Sequence, residues 1–257
     1  MYSRPGIVLA SADPTSGSSQ VTVRDRSTGV LPDPPLIRWS LPFLSAYDRT
    51  PAWEFVRSPR VGTITESSES TAPTYDWLAL QKRAHREFGV RLGLVSDWDA
   101  PTPDADWTVR DLVRHVVEEQ QWVLQLLAGS STADARRRIQ PLGDDLRAEW
   151  RLYSLAATSA WDAASPDAQV SLSSDTVTAH DYLREQVSDV AIHAWDLARA
   201  VGADEALDDA LIEGVWTVFE PQRDTLSASG LFAAPVPLPE DASLQLRLLA
   251  LTGRDAR

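Results

Sequence analysis

The chain contains no cysteine at all. That removes disulfides, thiolate metal sites and cysteine nucleophiles together. Any resident metal must therefore be held by histidine and carboxylate, and any thiol chemistry must use a thiol brought from outside. Asparagine is also absent and Lys82 is the lone lysine among many arginines, the signature of a GC-rich bacterial gene. No apolar run approaches the length of a bilayer span, and the first thirty residues lack a basic-then-apolar leader pattern. The expected compartment is the cytoplasm. There is no Gly-rich phosphate loop and no nucleophile elbow.

What is present is acidic and helical. The formal net charge of -13 repels phosphate backbones and anionic lipid, so neither nucleic acid nor a membrane is an expected partner. At 43% hydrophobic residues over 257 positions, a sizeable core is within reach.

Residues 1–72 differ from the rest. They are rich in Pro, Ser, Thr and Gly and show no helical periodicity, so they are expected to form a largely disordered extension. A gene start placed too far upstream, with Val61 as one later option, and a small β-rich subdomain are the alternatives. Residues 73–257 are expected to form the folded domain.

From Tyr75 to about Val95, Trp77, Leu80, Ala84, Phe88 and Leu92 recur at three- and four-residue steps and predict a first helix. Pro101 and Pro103 break it. Thr108 and Asp111 have capping-box spacing and open a second helix that ends at Gly129. A third is predicted over Asp144 to Ala164. Gln169 to Thr176 reads as a loop or short hairpin. A fourth helix opens at Thr178 and closes at Gly202, a fifth runs from about Leu207 to Ser227, and a sixth from Ser243 to Leu251. Six helices without convincing strands predict an all-α bundle with a C-terminal helical addition.

Polar residues sit where these helices should be apolar. On the second helix, His115 and Glu119 fall at the edge or middle of the face drawn by Leu112, Val116, Val123 and Leu126. On the fourth, Asp189, His193 and Asp196 stand at i, i+4 and i+7 among Val190, Ile192 and Leu197. Four-residue spacing stacks Asp189 and His193 on one face, where both can bind one ion, and His115 from a facing helix completes three ligands. Three ligands with an open position describe a catalytic-type zinc site. A hydrogen-bonded core histidine with an acid fixing its tautomer has the same spacing. Burying Asp189 and Asp196 without a cation or donor is costly, which favours the metal. His85, beside Lys82, Arg83 and Arg86, is expected at the surface, as is His180.

Several motifs have a familiar look. Trp98-Asp-Ala-Pro-Thr-Pro103, Trp107-Thr-Val-Arg-Asp-Leu-Val-Arg-His115, Glu119-Gln-Gln-Trp122, His193-Ala-Trp-Asp-Leu-Ala-Arg-Ala200 and Arg247 to Asp255 resemble an actinobacterial family of DinB-like metal-binding proteins. Its relatives include the metal-binding domain of mycothiol-dependent maleylpyruvate isomerase. The resemblance runs from about Asp76 to the C-terminus. It implies a DinB-like four-helix bundle whose His, acid, His triad falls on His115, Asp189 and His193. It also implies zinc or another first-row ion, and a transferase or isomerase reaction in which the metal binds the sulfur of mycothiol or a similar small thiol. In the isomerase the middle ligand is usually Glu, one methylene longer than Asp189. Many relatives have Cys where this chain has Asp104, and the isomerase's separate C-terminal α/β domain has no counterpart here.

In such an enzyme Glu119 is a candidate general base, or an acceptor behind a ligand, and Asp196 would orient a ligand histidine through its other ring nitrogen. The rival reading is a non-catalytic, metal-stabilised module that senses a small molecule or docks a partner; a metal-free helical domain is a third. A homodimer is compatible with either of the first two.

Overall fold

The computed structural model describes residues 74–104, 107–172, 176–223 and 233–257. The expected N-terminal extension, residues 1–72, lies outside them. Within them the chain is helical, with one two-stranded hairpin.

Each helix starts where a side chain can satisfy its free amides. Asp76 accepts from the Ala79 amide and opens α1 (Trp77–Leu94). Thr108 and Asp111 complete a reciprocal capping box at the head of α2 (Val109–Leu127). A five-residue helix, α3 (Thr132–Arg136), capped by Ser131, follows between the predicted second and third helices. Asp145 caps α4 (Leu146–Ala163). The weakly alternating segment after it is an antiparallel hairpin, β1 (Gln169–Ser171) against β2 (Thr176–Thr178), with Val170 opposite Val177. Thr178 then caps α5 (Ala179–Val201), which ends in a left-handed Gly202. α6 spans Asp209–Phe219, and the expected helix end at Ser227 lies outside the described residues. Pro221 cannot donate the amide that another α-turn needs, and the chain tightens into a 3-10 turn over Glu220–Gln222. α7 (Leu244–Leu251) closes the fold.

The four long helices form the bundle: α1 lies against α5 and α4, and α2 lies against α4 and α5. α6 packs on α5 and α1, and α7 packs on α6. Apolar stripes meet in the middle, with Phe88, Leu92, Leu112, Val116, Val123, Leu126 and Leu197 buried. α5 is exceptional because every residue from 186 to 198 is buried. A helix covered on all sides has no solvent face for its polar residues. Gln186, Ser188, Asp189, His193 and Asp196 are therefore interior, and each must find a partner there.

His85 departs from expectation. It is turned inward against Trp150, with ring centroids 5.0 Å apart, and lies within reach of Gln81 and Thr158. Burial pushes its pKa down to about 4, against weaker support from Gln120 and the Ser154 backbone. The basic neighbours do not report its burial: Arg83 reaches Asp208, Arg86 is exposed, and Lys82 bridges at the surface to Asp162 on α4, the helix that packs on His85. His180 is exposed, as expected.

Candidate metal centre

The capping box of α2 fixes the rotation of that helix, and seven residues on from Thr108 it aims His115 at α5. The loop before it folds back on the helix start: Thr102 bonds the Trp107 carbonyl, and the Val109 and Arg110 amides bond the carbonyls of Ala100 and Trp98. That loop sets Trp107 over both histidines. Its ring centroid lies 5.0 Å from His115 and stacks 5.6 Å from His193, and the two imidazoles are 5.1 Å apart.

Between them stands Asp189. Its Oδ2 is 3.5 Å from His115 Nε2 and its Oδ1 is 3.4 Å from His193 Nε2. Both separations are long for hydrogen bonds, and buried Oδ2 has no hydrogen-bond partner. They match another geometry: two donors each about 2.1 Å from one cation at the tetrahedral angle lie roughly 3.4 Å apart. One donor atom from each of the three residues lies within 4.8 Å of the others, so His115, Asp189 and His193 could hold a metal ion. The residues present fit a divalent cation, in the chemistry of the set and in the orphaned carboxylate oxygen.

The charges of the three side chains are coupled. Burial alone would raise the Asp189 pKa, but the neighbouring charges of His193 and His115 hold it far below the usual carboxylate range. Burial pulls His193 down, yet the Asp189 and Asp196 carboxylates lift it to about 10. In the metal-free chain a proton on His193 thus compensates the buried acid, and a bound cation would take its place.

Asp196 is fully buried, and its Oδ2 lies 3.1 Å from His193 Nδ1. With the ring neutral, that bond would keep the proton on Nδ1 and leave Nε2, the nitrogen facing Asp189, with the free lone pair that a metal needs. Glu119 is also interior. It accepts from Gln186 Nε2 at 3.2 Å, and its pKa is raised to about 7, first by burial and then by the Asp189 carboxylate, against the opposing pull of His115.

Two residues at the site were not assigned a position by the sequence. Arg254, beyond α7, forks onto Asp196, with Nε to Oδ1 at 3.2 Å and Nη2 to Oδ2 at 2.9 Å. The same Nη2 reaches Asp104 Oδ2 at 3.1 Å. Asp104, His193 and Asp196 also cluster closely enough to suggest a metal, but the guanidinium already supplies cationic charge to both of those acids. The arginine directly after Gly253 is visible in the closing motif; its target, 58 residues upstream, is not.

Residues 78–198 match the family of the mycothiol maleylpyruvate isomerase N-terminal domain. The match spans α1 through most of α5 and contains His115, Asp189 and His193, so the resemblance carried by the motifs holds. Among curated proteins the chain is similar to uncharacterized proteins of two Mycobacterium tuberculosis strains. Each is 28% identical over 187 residues, which cover 71% of this chain and 100% of the relative. No solved structure matches significantly. Among the described residues, no helix is long and apolar enough to cross a membrane.

Proposed function

We propose that this chain binds one divalent metal, zinc in the first instance, on His115, Asp189 and His193. We further propose that it works as a thiol-dependent transferase or isomerase with mycothiol or a similar small thiol as co-substrate. One arrangement carries the reading: a buried aspartate flanked by two imidazole Nε2 atoms at ligand-to-ligand distances, with one oxygen lacking any hydrogen bond. When bound, such a cation lowers the pKa of a coordinated thiol, so that a thiolate exists near neutral pH.

The chain's own residues supply the rest. Asp196 keeps the Nδ1 proton of His193 engaged and so presents Nε2 inward. Trp107 covers the two imidazoles and limits water around them. Glu119, with a pKa near 7, can hold or release a proton at ordinary pH, as a general base must. Because the chain has no cysteine, it cannot provide the sulfur itself.

Elemental mass spectrometry on the purified protein tests the first half. About one equivalent of metal is expected in wild type, with a large loss in His193→Ala. No metal in either, even after reconstitution with zinc or nickel, would make the three residues core polar groups and sink the proposal. Adding mycothiol to cobalt(II)-loaded protein tests the second half. A sulfur-to-cobalt charge-transfer band supports thiol ligation, and its absence at saturating thiol leaves a metal-stabilised binding module.

A further inference from the structure

The tail of the chain is built to deliver Arg254 into the bundle. α7 ends at Leu251, and Gly253 takes φ 77°, a left-handed conformation that turns the backbone back toward the core. The turn is locked by the Gly253 amide on the Ala250 carbonyl and by the Arg254 amide on the Leu249 carbonyl at 2.8 Å. There is no room for a side chain at that glycine, since a Cβ would come within 2.8 Å of the Ala233 carbonyl oxygen. Arg254 Nη1 then bonds the Thr252 carbonyl at 3.0 Å, which fixes the plane of the guanidinium.

That plane faces Asp196 through two parallel hydrogen bonds, the geometry that orients a carboxylate most tightly. Asp196 in turn orients His193. Resting on the metal-centre reading above, we propose that Arg254 is a positioning residue: through Asp196 it sets the orientation of His193, and so the affinity and geometry of the metal site. The C-terminal turn, which lies outside the segment matched by the family, is thereby a working part of the centre. A carboxylate as deeply buried as Asp196 would otherwise be free to rotate toward any other donor, and His193 would lose its fixed ring plane.

The test is zinc affinity, measured by competition with a chromogenic chelator, together with the d–d absorption of the cobalt(II) protein. Arg254→Ala is expected to weaken zinc about 10- to 100-fold and to shift the cobalt bands. Arg254→Lys, which keeps the charge but lacks the fork, is expected to recover part of the affinity. Arg247→Ala removes the guanidinium that lies 5.1 Å from the Trp216 ring and leaves Arg254 in place. It should stay within about twofold of wild type, which separates docking of α7 from orientation of the ligand.

Circular dichroism checks that each protein is folded; if Arg254→Ala is not, Arg254→Lys decides. Wild-type affinity and an unchanged cobalt spectrum in the folded Arg254 variants would overturn the inference, as would an equal loss in Arg247→Ala. Wild type that takes up no metal removes the centre itself, a failure distinguishable from that of Arg254 alone.

Discussion

At the scale of single residues, the site is governed by what burial does to charge. Asp189 is held ionised by the two histidines, whereas at Glu119, which faces Gln186, burial outweighs the pull of His115 and pushes the group toward the neutral acid. A raised carboxyl pKa has a definite sign in stability. Below the unfolded value near 4.5 both states bind the proton and there is no penalty. Between that value and about 7 the unfolded state loses its proton first, so folding weakens as pH rises, and above 7 the full penalty applies. Glu119→Gln should therefore stabilise the metal-free protein at pH 8, by up to about 3 kcal/mol, with the gain fading toward pH 4.5. Urea unfolding in chelator at several pH values measures this directly. A gain independent of pH would mean that Glu119 is ionised in the fold throughout that range.

At the scale of the element, helix starts bear on where the candidate ligands point. His115 lies in the second turn of α2, just beyond the turn that Thr108 caps, and fraying of that turn would loosen the imidazole from its place beside Asp189. Thr108→Ala removes one half of the box, the hydroxyl that accepts from the Asp111 amide, and the hydroxyl's own bond to the Asp111 carboxylate, while the backbone amide of residue 108 still donates to that carboxylate. The expected cost is about 1 kcal/mol in urea unfolding, with a weaker metal site on top of it. A stability loss with zinc affinity unchanged would show that the loop 98–108, through its own hydrogen bonds, holds the helix start without the cap. The same elements show how sequence signals succeed or fail. The capping pairs at Thr108 and Thr178 put α2 and α5 at their observed starts, because capping is a local interaction. α3 was missed because five residues are too few for a periodicity to show. His85 was misplaced because the bundle supplies Trp150 and Thr158 from another helix, which no local window contains.

At the scale of the whole molecule, the core of the described residues draws on all four bundle helices, and the three candidate ligands sit on two of them, α2 and α5. The domain proposed from the sequence, residues 73–257, should therefore fold and load metal without the first 72. A chain starting at Pro73 is expected to keep full metal content and to melt within about 3 °C of the full-length protein, a difference under roughly 1 kcal/mol. A much lower melting point or lost metal would make the N-terminal region part of the fold.

The sequence by itself determined the all-α architecture, the order of the long helices and the residues that gather at the site. It could do so because helix periodicity, caps and the i, i+4, i+7 stripe of Asp189, His193 and Asp196 are all local, and because polar residues on an apolar face announce themselves. Only the tertiary structure decided that Trp107 covers the imidazoles, that Glu119 meets Gln186 and that Asp104 and Arg254 flank Asp196. Those contacts join side chains up to 150 positions apart. They depend on how α2, α5 and the closing turn pack together, and no spacing along the chain encodes a distance across the bundle.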